Sequence, residues 1–148
     1  TPHTVEAHRL AGTTAADIDA GRFEAAALLA KRVNATVLLK GVPTVVSDGT
    51  RTQVVASGTP ILATGGSGDL LGGIVATLLA QTGDALASAA AGAWVHGHAA
   101  ELAGRGDIRG VSLDDVMMAL RYAWRAEGSA WTPQPPVIAE LPAAGDRS

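Results

Sequence analysis

The chain has 148 residues, 47% of them hydrophobic and 17% charged, a balance that fits one folded domain and excludes a chain disordered throughout. A formal net charge of −3 without a long basic run excludes a nucleic-acid footprint, and no apolar stretch reaches the length of a membrane span. With no cysteine, disulfides and thiolate metal sites are excluded, and without a charged-then-apolar leader a cytoplasmic domain with a small-molecule ligand is the default expectation.

Thr1 is not an initiator methionine, and Thr1-Pro2-His3 reads as a loop leaving a strand outside the sequence, so a piece of a longer domain is expected. Aromatic residues make up 3%, which leaves the core to Ala, Val, Leu and Ile, with Trp94, Trp124 and Trp131 as its few large pieces. The spacing of Val5, Ala7 or His8, and Leu10 predicts a short helix over 4–10 that Gly12 stops. Thr14 stands three residues before Asp17, the spacing of a capping box, and a helical turn should follow. From Arg22 to Asn34, Phe23, Ala26, Ala27, Ala30 and Val33 recur at three and four, widened by Leu28 and Leu29. That pattern predicts an amphipathic helix with Arg22, Glu24, Lys31 and Arg32 left for solvent.

Thr36-Val37-Leu38-Leu39-Lys40 is too continuously apolar for a half-exposed strand, and predicts burial on both faces as in a parallel sheet. Thr44–Ser47 and Thr52–Val55 flank Asp48-Gly49, the turn chemistry of a hairpin with its loop at 48–51. Gly58-Thr59-Pro60 breaks the pattern, and Ile61-Leu62-Ala63 is expected to add a short extended piece.

Three helices should follow. The segment 70–81 is nearly all apolar and predicts burial on every side, with Gly72 and Gly73 marking a close approach. Asp84 can cap a helix over 85–102 whose face of small residues runs through Leu86, Ala90, Ala93 or Trp94, and Gly97. Ser112 and Asp115 form another capping box, opening a helix through Met117, Leu120, Tyr122 and Trp124. Pro133, Pro135, Pro136 and Pro142 prevent regular helix further on, so the division is a domain over 1–131 and an extended or disordered tail over 132–148. The order of elements predicts an α/β layer protein with a partial sheet covered by helices.

The stretch from Ala63 to Asp69, Ala-Thr-Gly-Gly-Ser-Gly-Asp, carries the chemistry. A helix starting near Asp69 would aim unpaired N–H groups at an anion beside a carboxylate. No Lys follows the last glycine, which excludes a Walker loop, and the glycine spacing excludes a dinucleotide fingerprint. On the residues alone, a tight turn into a buried helix stays as open as a phosphate site. Ser67 could cap the helix and leave Asp69 free to meet a substrate hydroxyl.

That stretch, followed by Leu70-Leu71-Gly72-Gly73 and preceded by Lys40-Gly41-Val42-Pro43-Thr44 and by Thr1-Pro2-His3 with Glu6, resembles the ADP- or ATP-dependent NAD(P)H-hydrate dehydratases of the ribokinase-like superfamily. The resemblance runs from Thr1 to about Ala103 and covers the later half of that domain, a three-layer α/β/α fold. It implies repair of hydrated NADH or NADPH by phosphorylation of the ring hydroxyl and elimination of phosphate, with Mg2+ bridging the phosphates of ADP or ATP. By matching position, Asp69 would deprotonate the hydroxyl, and the backbone of Gly66, Ser67 and Gly68 would form the anion hole. Lys40, Gly41, Val42, Pro43, Thr44 and Gly68 would contact the nucleotide, and His3 and Asp69 the hydrated substrate.

His96 matches a family histidine with a structural role, and no metal site is expected, since His96 and His98 lie two apart on a helix and point to different sides. Thr4-Val5 stands where the family has Pro-Gly, and Ile61 where it commonly has glycine, so the substrate loop departs from the usual shape. A half-sheet with exposed helix faces predicts a homo-oligomer, and an epimerase domain, fused or separate, is a further expected partner. The alternatives are a kinase of the same superfamily acting on a vitamin precursor or sugar, and a catalytically silent nucleotide-binding fragment.

Overall fold

The computed structural model describes residues 1–105 and 107–124 and the backbone of 138–141. Helices α1 (Thr4–Ala11), α2 (Ala15–Ala20) and α3 (Arg22–Val33) come first, then strands β1 (Val37–Leu39), β2 (Thr44–Ser47) and β3 (Thr52–Val55). Helices α4 (Ser67–Thr82), α5 (Ala85–Gly104) and α6 (Leu113–Ala123) follow, and strand β4 (Ile138–Leu141) closes the order. Local signals set most of these boundaries. Thr14 and Ser112 make reciprocal capping boxes with Asp17 and Asp115, Asp84 caps α5, and Gly12 and Asn34 end α1 and α3 in the left-handed region.

The four strands form one sheet in the order β1-β2-β3-β4, every pair antiparallel. The parallel sheet expected from the burial of β1 is therefore absent among the described strands; a lone parallel bridge joins His3 to Lys40. Burial on both faces of β1 has another cause, a helical layer on each side. On one side Val37, Leu39 and Val45 pack with Ala7, Ile18, Ala26, Leu29 and Ala30 of α1–α3. On the other, Leu38, Val46 and Val55 pack with Leu71 of α4 and with Leu86, Ala89, Ala90 and Ala93 of α5. A third apolar cluster joins α5 and α6 through Val95, Ala99, Ala100, Val116 and Ala119.

The β2–β3 turn closes on itself. Asp48 accepts from the N–H groups of Thr50 and Arg51 at 2.8 and 2.7 Å, and from the Thr50 hydroxyl and Arg51 Nε. Burial pushes its carboxyl up, but these hydrogen bonds from Arg51 and Thr50 outweigh it and hold the group well below the usual carboxylate range.

Several expectations need correction. Residues 60–62 form a 3-10 turn instead of an extended piece, because Pro60 sits at its first position and the Thr59 hydroxyl accepts from Ile61 N–H. Helix α4 is not buried on every side: Ser67, Leu71 and Ile74 are its buried residues, while Leu79 is 40% exposed. Nothing approaches Gly72 or Gly73 within 4 Å of an added Cβ; the close contact is made from α5, where a Cβ on Gly92 would lie 2.6 Å from Val75. Helix α3 turns Ala26, Leu29 and Ala30 inward and leaves Leu28 66% exposed. Trp94 is partly buried, Trp124 is half-exposed, and Trp131 lies outside the described residues. Of the expected tail, β4 pairs with β3 through Thr52↔Leu141 and Val55↔Ile138, and the rest lies outside the described residues.

Candidate active site

The end of β1 and the start of α1 meet side by side. Lys40 N–H donates to Pro2 O at 2.8 Å, which brings His3 next to Lys40. His3 caps α1: its Nδ1 accepts from Glu6 N–H at 3.2 Å while its own N–H donates to Glu6 Oε2 at 2.8 Å. That backbone hydrogen bond, aided by the nearby Lys40 charge, holds the Glu6 carboxyl below its ordinary value. The Lys40 ammonium lies 3.8 Å from Glu6 Oε2, and a Cβ added to Gly68 would sit 3.2 Å from its Nζ. One cation thus stands between the starts of α1 and α4.

Helix α4 begins two residues before Asp69, with Gly66 as a left-handed N-cap at φ 84° and without a side-chain cap. Ser67, expected as that cap, is instead the first helical residue, and its hydroxyl lies 3.3 Å from Nε2 of His96 on α5. Burial, and then the Lys40 charge, push His96 down to about 4, so near neutral pH the imidazole is uncharged. In the first turn, the N–H groups of Asp69 and Leu70 turn inward to Gly66 O at 3.0 Å, and Ser67 N–H makes a long 3.4 Å contact to Thr64 O.

The segment before α4 lies on α5. Glu101 Oε1 accepts from Ser57 Oγ at 3.0 Å and from Gly58 N–H at 2.8 Å. A Cβ on Gly97 would come within 2.5 Å of Ser57 O, so only glycine lets the segment sit this close.

Between these parts lies a cavity of about 820 Å3. Its lining includes His3, all five residues Lys40–Thr44, Ser57–Pro60, Ser67, Gly68 and His96, together with the apolar Val55, Leu62, Leu71 and Ala93. The structure therefore brings most of the sequence-predicted residues to one cavity. Gly66 and Asp69 are not in its lining, and Asp69 is exposed on the first turn of α4. A lining that combines an ammonium, a helix N-terminus and apolar side chains suits a ligand with an anionic and an apolar part. Arg22, left for solvent by the sequence pattern, is instead largely buried beneath Lys40–Pro43. A cation at the first turn of α3 opposes the helix dipole, and that local conflict was the available signal.

Among the described residues, no group of three or more His, Asp or Glu side chains converges to hold a metal ion. No helix there is long and apolar enough to cross a membrane.

A family model described as NAD(P)H-hydrate dehydratase matches residues 1–121. The ADP-dependent (S)-NAD(P)H-hydrate dehydratase of Neisseria meningitidis serogroup B is 50% identical over 103 residues, 69% of this chain and 35% of that protein. The ADP/ATP-dependent NAD(P)H-hydrate dehydratase from Bacillus subtilis, co-crystallized with ATP/Mg2+, superposes with a TM-score of 0.76 at 27% identity, over 83% of this chain and 45% of that one. A ribokinase-like superfamily protein from Enterococcus faecalis V583 superposes with a TM-score of 0.66 at 24% identity, over 82% of this chain and 42% of that one, a likeness of fold alone. The fold is a partial ribokinase-like α/β fold, and the chain spans less than half the length of each of these proteins.

Proposed function

The chain belongs to the NAD(P)H-hydrate dehydratase family, and from that membership we propose that the complete protein dehydrates hydrated NADH and NADPH at the expense of ADP or ATP. The observation that carries the reading is the meeting of Lys40 Nζ with Gly68 at the start of α4, in the lining of a nucleotide-sized cavity. Lys40–Thr44 and Gly68 bind the nucleotide, and the Gly66–Gly68 backbone cradles the phosphoryl group as it transfers. His3 and Asp69 contact the hydrated ring.

Asp69 accepts the proton of the ring hydroxyl as that oxygen bonds to phosphorus and the phosphoanhydride bond breaks. Phosphate then leaves with the carbon–oxygen bonding pair, a neighbouring proton is lost, and the ring double bond returns. Asp69 is exposed outside the cavity lining and His3 belongs to it, so the hydrated ring spans the cavity edge between them. The donor set suits Mg2+ only as a companion of the nucleotide: the described residues offer no three-ligand cage, and Mg2+ keeps its waters and takes phosphate oxygens readily. When bound, it neutralises charge on the phosphates.

Cytoplasmic residence belongs to this reading. So do a homo-oligomer, supported by exposed apolar residues such as Leu28 and Met118, and an epimerase, fused or separate, that supplies the epimer this enzyme accepts. The test gives the complete protein ADP or ATP with hydrated NADH and follows recovery of reduced-nicotinamide absorbance. Asp69→Asn should lower that rate by about 100-fold to 10,000-fold. No recovery, undiminished recovery in the variant, or a product that keeps its phosphate overturns the reading.

A further inference from the structure

Arg22 opens α3, yet its side chain is only 11% exposed, and each of its five N–H groups has an acceptor. Nη2 donates to Lys40 O at 2.8 Å and Leu39 O at 3.4 Å, and Nε to Pro43 O at 3.3 Å. Nη1 donates to Asp19 Oδ1 at 2.8 Å and to Thr4 Oγ1 at 3.1 Å, and Thr4 in turn donates to Asp19 at 2.9 Å. The guanidinium fills the space beneath Gly41, where a Cβ would meet one of its nitrogens.

The geometry points to Arg22 as the positioning residue of the nucleotide segment Lys40–Thr44, an inference that rests on the reading of that segment given above. Three of the four carbonyls from Leu39 to Pro43 that precede or follow Gly41 turn inward to one planar fork, which fixes the path of the backbone between β1 and β2. With the carbonyls held inward, Lys40 Nζ reaches Gly68, and Val42 stands 98% exposed at the cavity. Asp19 and Thr4 hold the fork in plane from behind, so its orientation does not depend on the ligand. Lysine could not replace it, because an ammonium is a point charge without the fork's directions. Arg22 shares no hydrogen bond with α4, which carries the glycine loop and Asp69. Its loss should therefore weaken nucleotide binding and spare the chemical step.

The test titrates the complete protein and its Arg22→Met, Arg22→Gln and Arg22→Lys variants with ADP by calorimetry, then measures KM for ADP and kcat. Charge-assisted hydrogen bonds of this strength predict that Kd and KM rise about tenfold or more in Arg22→Met, with kcat within about threefold at saturating ADP. Arg22→Lys should fall between that variant and the unsubstituted protein. A folded variant that binds ADP within about twofold of the unsubstituted protein overturns the inference, as does a fall in kcat at unchanged KM. Failure of all three variants to fold also overturns it, by making Arg22 a support of the domain instead of the loop. If the unsubstituted protein does not bind ADP, the nucleotide reading itself falls and this inference with it.

Discussion

The cavity wall formed by Lys40–Thr44 hangs from a guanidinium that reaches it from the α1–α3 layer, whereas the wall from Ser57 to Thr64 lies directly on α5. The first is held at a distance by directional hydrogen bonds to carbonyls. The second is held by contact, with Gly97 setting how near it sits and Glu101 tying down its first residues. A wall held by hydrogen bonds can shift when one side chain changes, but a wall seated on a glycine tolerates no added atom. Between the two, His96 and Ser67 form a floor that feels the Lys40 charge from one wall and belongs by sequence to the helices of the other.

The largest effect should come from titrating that floor. Free histidine binds a proton below about 6.5, but folded His96 does so only below about 4. Across that window the unfolded chain holds the extra proton, so stability falls as pH drops from 6.5 to 4 and levels off below. At about 1.4 kcal/mol per pH unit the loss is roughly 3 kcal/mol. Denaturant midpoints measured through this window should lose most of their slope in His96→Gln, and an unchanged slope would place the pH sensitivity elsewhere.

The seated wall is tested next. Gly97→Ala should cost on the order of 2 kcal/mol through overpacking against Ser57, even though alanine favours a helix. Gly73→Ala, with nothing within 4 Å, should gain roughly 0.5 to 1 kcal/mol. Urea midpoints of the two variants read this contrast, and a gain at Gly97 as well would show that the second wall is not seated on that glycine. The smallest effect belongs to the tether. Glu101→Gln keeps an acceptor oxygen but loses the charge, and about 1 kcal/mol or less should be lost at this partly exposed site. A larger loss, read from the same urea curves, would make the second wall as dependent on a side chain as the first.

What was legible in the sequence was local. The capping boxes at Thr14 and Ser112, the Asp84 cap and the Asp48–Arg51 turn each form among residues a few positions apart, so spacing alone locates them. Strand direction was not legible, because burial of β1 reports the layers above and below it and not its neighbour's polarity. Nor was the partner of Ser67, whose hydroxyl meets an imidazole 29 positions later. At the site, the glycine loop and the Lys40–Thr44 segment could be read from sequence, but the support of that segment could not, since Arg22 lies 18 positions before Lys40 and shows itself only as a misplaced charge.

The self-closing turn at Asp48 also divides the sheet by the length of its connections. β1, β2 and β3 are joined by short connections, so their pairing closes small loops at little entropic cost. β4 must find the edge of β3 after the chain has passed through α4, α5 and α6, a much longer closure. The base of the Lys40–Thr44 wall thus rests on strands closed by short connections and not on the distant edge β4.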